Sequence, residues 1–368
     1  MSGDRLILTV GELVLDWIAK DFGVGFIEAS TFVKSLGGNA ANVAIALQRL
    51  GTQARILAKI GADVHGRYLL KVLEDEGVDT SAVLIDQNNV TAQCYVFTTF
   101  ANDNTFLNWP PGNAAHKLDG DDIDPVHFQS AQALHATGIS LIVEPRKAAV
   151  LKSMQLAREN DIAVSFDAGF PTGQGEGAIK AVEDALALAH IVKVNLPELL
   201  FWSKYTGEDV SDIPADAIDY YEKPPSSGHE GAVDLVHLLD RDRVASLAGA
   251  LARHFKPDIL LVTMADRGSL LFAGKHQIWT EAFPVETVAG VGAGDAYVAG
   301  FLHRLLSLAG KDRLLRLVED PDQERLTKAA RYASAVGAIA TTSLSAHEGL
   351  PRAAAVDKLL STCGKPID

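Results

Sequence analysis

The chain has 368 residues, enough for one large α/β domain, and 48% are hydrophobic and 22% charged, which excludes a wholly disordered or collagen-like polypeptide. A formal charge of −14, with the lysines and arginines scattered, repels phosphate backbones and anionic lipid, so neither nucleic acid nor a membrane is an expected partner. The two cysteines, Cys94 and Cys363, lie far apart and suggest neither a disulfide framework nor a cysteine-rich zinc site; a reducing cytoplasm is the expected setting.

Along the chain, Leu6 to Val10 reads as a first core strand; the run is short, lacks a small-residue cleavage pattern, and no later run reaches transmembrane length. Residues 12–34 have no good helical period. A small-residue helix is expected over 39–50, stopped by Gly51, then a strand over 54–60 and a helix over 65–76, stopped by Gly77. Residues 88–109 again lack a helical period and include the strand-like Thr91 to Phe100. Strands over 131–136, 162–166, 190–194 and 258–263 then alternate with helices over 146–160, 177–189 and 241–255. Residues 206–232, rich in Asp, Pro, Ser and Gly, read as a surface excursion without assigned chemistry. The pattern predicts one domain over 1–368, a doubly wound, mostly parallel α/β sheet flanked by helices. A small antiparallel sheet from about 12–34 and 88–112 would serve as a lid.

The most informative segment is Gly290-Val291-Gly292-Ala293-Gly294-Asp295, followed by an apolar helical pattern. Small residues let backbone amides converge at a helix start, where the helix dipole favours negative charge. The amides of Gly292, Ala293 and Gly294 could thus hold a phosphoryl group in flight, with the Asp295 carboxylate taking a proton from an attacking hydroxyl. Alternatively, Asp295 caps the helix and the glycines permit a tight turn. The segment is neither a P-loop nor a dinucleotide fingerprint.

A second segment, Gly37-Gly38-Asn39-Ala40-Ala41-Asn42, opens the first helix. Its side-chain amides suit the hydroxyls of an uncharged polyol, unless Asn39 is an N-cap and Asn42 a solvated position. Metalloprotease and serine-hydrolase spacings are missing from the sequence. His135 stands at a strand end and reads as a core histidine. Trp109 either stacks on a sugar or base face or anchors the lid.

Together, these two segments resemble the paired signatures of the ribokinase-like, or PfkB, carbohydrate kinase family, nearest to its fructokinase and ribokinase types, and the likeness covers nearly the whole chain. The resemblance implies an ATP-dependent sugar kinase with Asp295 as base. Gly11-Glu12-Leu13-Val14-Leu15-Asp16 resembles the first strand and its sugar-binding aspartate, implying that Asp16, Gly38, Asn39 and Asn42 orient the substrate with Trp109. Asn195-Leu196-Pro197-Glu198 resembles the family's Asn-x-x-Glu motif, implying that Asn195 and Glu198 organise Mg²⁺ and phosphate through water. Val262 to Gly268 resembles the loop near the nucleotide and Ala333 to Thr341 the helix bordering adenine, which implies Thr263, Gly268, Ala333 and Gly337 at the nucleotide.

Departures from the pattern narrow the reading. Ala289-Gly290 stands where many relatives carry the Asp-Thr that helps hold a monovalent cation, so weak or absent potassium dependence is expected. Neither Phe106 to Asn113 nor Asp167 to Pro171 supplies the arginines that fructokinase-like and 2-keto-3-deoxygluconate kinase-like relatives often carry there; without these two carboxylate partners, a neutral, fructose- or ribose-like substrate is expected rather than a sugar acid. A nucleoside kinase, a 2-keto-3-deoxygluconate kinase and a non-catalytic sugar or nucleotide sensor are the alternatives. A homodimer through the lid is the expected assembly.

Overall fold

Among the described residues, thirteen short strands are set by aliphatic and β-branched runs: β1 Leu6–Val10, β2 Val14–Ala19, β3 Phe32–Gly37, β4 Gln53–Gly61, β5 Val83–Asp86, β6 Ala92–Thr98, β7 Asn104–Trp109, β8 Ala131–Thr137, β9 Ala163–Asp167, β10 Ile191–Asn195, β11 Ile259–Thr263, β12 Ser269–Ala273 and β13 His276–Thr280. They belong to a computed structural model that describes residues 5–21, 23–98, 104–169, 176–214, 235–310 and 312–363. Of the expected excursion over 206–232, residues 215–232 lie outside the described residues, as do Phe170 and Pro171.

Nine strands form the main sheet in the order β13-β12-β11-β10-β9-β8-β1-β4-β5. The seven from β11 to β5 run parallel. The β12–β13 hairpin, not among the expected strands, adds an antiparallel edge. Strands buried on both faces must alternate between two cores. Ile7, Ala133, Ala163 and Ile191 point to a layer with helices Asn39–Leu50, Ala293–Ala309 and Gln323–Ala340. Leu8, Leu134, Val164 and Val192 point to the opposite layer with helices Arg146–Glu159, Glu176–Leu188 and Arg241–Phe255. β1 is flanked by β4 on one side and β8 on the other, a switch point where such sheets open a crevice beyond the strands' carboxyl ends.

The second sheet has the order β3-β2-β6-β7. It is mixed rather than antiparallel throughout: β2 pairs parallel with β6, while β2–β3 and β6–β7 are antiparallel. A parallel pair needs a long crossover, and the chain supplies it by passing through the main sheet at β4 and β5 between them. No helix among the described residues is long and apolar enough to cross a membrane.

Candidate active site

Helix Ala293–Ala309 starts after Gly292, whose φ of 76° is left-handed, a conformation glycine adopts without steric cost. Asp295 is the third helical residue and makes no capping bond. Its buried Oδ2 instead accepts from Asn42 Nδ2 at 2.9 Å. Asn42 lies in helix Asn39–Leu50, whose N-cap is Gly38 rather than Asn39. Asn42 is therefore neither solvated nor capping; it is buried, and its Oδ1 has no partner among the described residues. Burial chiefly pushes the Asp295 carboxyl up to about 7; the Asn42 bond opposes this, Asp167 adds to it, Lys193 opposes it, and Glu12 adds the smallest push.

At the turn, the Ala293 amide donates to the Gly290 carbonyl at 3.3 Å and the Ala296 amide to the Gly292 carbonyl at 2.9 Å. The Gly292 and Gly294 amides have no acceptor among the described residues. Two amides of the expected anion hole are thus uncommitted and the third is weakly engaged. Behind them, the Val288 and Ala289 amides both donate to the Thr341 carbonyl, at 2.8 and 3.1 Å.

A buried ionic cluster lies beneath this helix start. Lys193, the middle residue of β10, places Nζ 3.0 Å from Asp167 Oδ2 and 3.8 Å from Glu198 Oε2. A Cβ on Gly294 would come within 3.3 Å of the same nitrogen. Asn195 and Glu198 close a capping box on helix Leu196–Tyr205: Glu198 Oε2 accepts from the Asn195 amide at 2.7 Å, and Asn195 Oδ1 from the Glu198 amide at 2.8 Å. A third bond joins Asn195 Nδ2 to Glu198 Oε1 at 3.0 Å. Burial raises the Glu198 carboxyl to about 7 against the pull of Lys193. Each carboxylate oxygen so engaged keeps a lone pair, a donor set that fits Mg²⁺ held through water better than direct ligation. No cluster of three metal-ligating side chains occurs among the described residues. Sequence reasoning missed Lys193; a lone lysine inside the apolar run Ile191-Val192-Lys193-Val194 was the available signal, because a lysine is almost never fully buried unless paired.

On the opposite wall, the Asp16 carboxylate lies so close over Gly37 that a Cβ there would stand 2.0 Å from Oδ2. Burial raises this carboxyl to about 7. Gly38, with φ of 99°, abuts the Glu12 carbonyl, 2.4 Å from where its Cβ would be. Glu12, also unforeseen, accepts from Ser140 Oγ at 2.6 Å and from the Asn39 amide at 3.3 Å. Arg146, buried behind it, donates to the Ser140 and Ile139 carbonyls at 3.0 Å each and lies 3.9 Å from Glu12. Trp109 is 55% exposed at the end of edge strand β7; it is not a buried lid anchor.

Of the residues expected at a nucleotide, Thr263 ends β11 beside Asn195, and Gly337 packs on helix Ala293–Ala309, where a Cβ would be 3.3 Å from the Ala293 carbonyl. Packing accounts for the other two. A Cβ on Gly268 would collide with the Thr280 carbonyl at 1.9 Å, and Ala333 is buried where its helix crosses Gly300. His135 is a core histidine: Nδ1 lies 3.0 Å from Ser165 Oγ, and burial lowers its pKa to about 4.

The chain resembles known proteins over nearly its whole length. The model of the pfkB family carbohydrate kinases matches residues 4–353. Fructokinase-1 of Zea mays is 31% identical over 366 residues, 98% of each chain. Fructokinase-1 of Oryza sativa subsp. japonica is also 31% identical, over 98% of this chain and 100% of the relative. Among solved structures, a fructokinase with bound ATP from Xylella fastidiosa superposes with a TM-score of 0.78 at 23% identity, covering 98% of this chain and 99% of that one. A putative ribokinase II from E. coli in complex with ATP and Mg²⁺ does so with a TM-score of 0.73 at 21% identity, covering 97% and 99%.

Proposed function

Because the chain belongs to the pfkB family of carbohydrate kinases, we propose that it transfers the γ-phosphoryl group of ATP to a hydroxyl of a small neutral sugar, fructose- or ribose-like, with Asp295 as the base. The observation that carries this reading is the buried Asp295–Asn42 contact at a helix start whose Gly292 and Gly294 amides are uncommitted. Asp295 accepts the hydroxyl proton while the sugar oxygen forms its bond to phosphorus and the bond to the β-phosphate oxygen breaks, releasing ADP. The Gly292, Ala293 and Gly294 amides face the charge that develops on the transferring group. Asp16, Gly38, Asn39 and Asn42 orient the sugar hydroxyls, and Asn195 and Glu198 would hold Mg²⁺ through water. When bound, that ion neutralises the β- and γ-phosphate oxygens. The ATP phosphates and base would lie along Asn195, Thr263, Gly268, Ala333 and Gly337, the last two shaping the wall through packing and backbone.

Charge argues for a neutral substrate. Asp16, Glu12 and Asp295 border the crevice, Lys193 is matched by Asp167 and Glu198, and Arg146 is engaged by two carbonyls and Glu12. No uncommitted cation among them awaits a carboxylate or phosphate. Val288 and Ala289 bind the Thr341 carbonyl directly and Ala289 supplies no carboxylate, which supports potassium-independent turnover. Edge strand β7, with Phe106, Leu107 and Trp109 exposed, suits a homodimer through the lid, and two unpaired cysteines suit the cytoplasm. A coupled ADP-release screen over fructose, ribose, 2-keto-3-deoxygluconate and adenosine tests the reading. Fructose or ribose should be turned over fastest, whereas preference for the acid or the nucleoside would overturn the neutral-sugar assignment.

A further inference from the structure

Four consecutive residues after helix Gln323–Ala340 touch, in turn, the small sheet, the phosphate turn and the body of the main domain. Leu344 packs against the small sheet's own cluster of Ile18, Cys94 and Val96. Ser345 Oγ lies 2.7 Å from Ser35 Oγ of β3, and both serines are buried. Ser35 Oγ also lies 3.2 Å from the Leu36 carbonyl oxygen, and either hydroxyl can donate in the serine–serine bridge. Ala346 abuts Gly292 so closely that a Cβ there would stand 2.6 Å from the Ala346 Cβ. His347 is fixed to the body, its carbonyl accepting from Arg49 Nη1 at 2.8 Å and its Nε2 lying 3.2 Å from Glu76 Oε1.

We propose that Leu344 to His347 form a strut through which the position of the lid sets the conformation of the Gly292 turn, with Ser345 as the positioning residue. Close-packed contacts transmit displacement rather than absorb it. A shift of β3 pulls on Ser345 through a buried hydrogen bond, and the next residue bears directly on the N-cap of the catalytic helix. Because His347 is anchored, the segment pivots instead of drifting. The lid that closes over the sugar therefore also orders the amides that receive the phosphoryl group, and water meets an incompletely formed anion site while the lid is open.

Part of the test rests on the kinase reading and part does not. Amide hydrogen exchange on the protein alone, comparing wild type with Ser345→Ala, Ser35→Ala and the double variant, reads the strut directly. Each single variant should speed exchange of β3 and of residues 290–296 together by roughly three- to tenfold, as expected for one lost buried hydrogen bond, and the double variant should go no further. With fructose and Mg-ATP, the same variants should lower kcat more than they raise the sugar KM and should raise the share of ADP formed without sugar phosphate. Faster exchange in β3 with residues 290–296 unchanged would overturn the proposal, as would single effects that multiply in the double variant. A wild-type protein that releases no ADP with any sugar would instead count against the kinase reading and leave the exchange result to judge the strut.

Discussion

As the proposed base, Asp295 would meet two demands that pull against each other: burial would keep water from the reacting hydroxyl, yet burial disfavours the charged form a base requires. The Asn42 bond relieves the second demand in part, leaving the group near 7. Replacing Asp295 with Asn preserves an oxygen for Asn42 Nδ2 and removes the base, so kcat should fall by about 10²–10⁴-fold with folding intact. In wild type, kcat should drop as pH falls through about 7; a flat profile from pH 8 to pH 5 would contradict the assignment. The same group titrates against stability. Its folded value of about 7 stands above the roughly 3.9 of an unfolded aspartate, so its contribution favours folding below about pH 4 and is lost as pH rises through about 7. The Asn variant should therefore melt above wild type at pH 8, with the gap narrowing as pH approaches 4; a gap independent of pH would refute the shift. Gly37→Ala places a methyl where the Asp16 carboxylate now lies and should raise the sugar KM roughly tenfold, the worth of one good hydrogen bond, in a kinetic assay.

Among elements, the parallel strands and their helices were readable because a buried strand has to be a short apolar run and a covering helix has to be periodic. Helices over 39–50 and 241–255 have their expected bounds. Other features were not readable for physical reasons. The β12–β13 hairpin is preceded by Gly268, whose close approach to the Thr280 carbonyl is a tertiary fact without a local signature, and the parallel β2–β6 pairing joins segments that alternation alone would make a meander. At the site, Asp295, Asn42 and the Asn195-x-x-Glu198 box stood out by motif, whereas the Lys193–Asp167 and Arg146–Glu12 contacts join residues distant in sequence. The Lys193 cluster carries its own prediction. Lys193→Met leaves Asp167 and Glu198 buried without a counter-charge, and urea unfolding should show a loss of about 3–5 kcal/mol; a neutral or stabilising change would mean that the carboxyls are already protonated.

At the scale of the whole molecule, the main sheet provides a floor at the β1 switch point, the small sheet forms the proposed lid, and helix Ala293–Ala309 begins at the turn that carries the proposed anion site. Turnover should require added Mg²⁺, cease with a chelator and return on replenishment. Potassium chloride should do no more than sodium chloride at equal ionic strength; a large specific stimulation would show that the joined Val288–Thr341 segments still open for a cation. The proposed reaction moves a phosphoryl group from ATP to a neutral sugar with Asp295 as base. Fructose-dependent ADP release by wild type and Asp295→Asn side by side, with Mg-ATP at pH 8, tests it most directly: rapid release by wild type and a fall of about 10²-fold or more in the variant are expected, and comparable rates in the two proteins would contradict it.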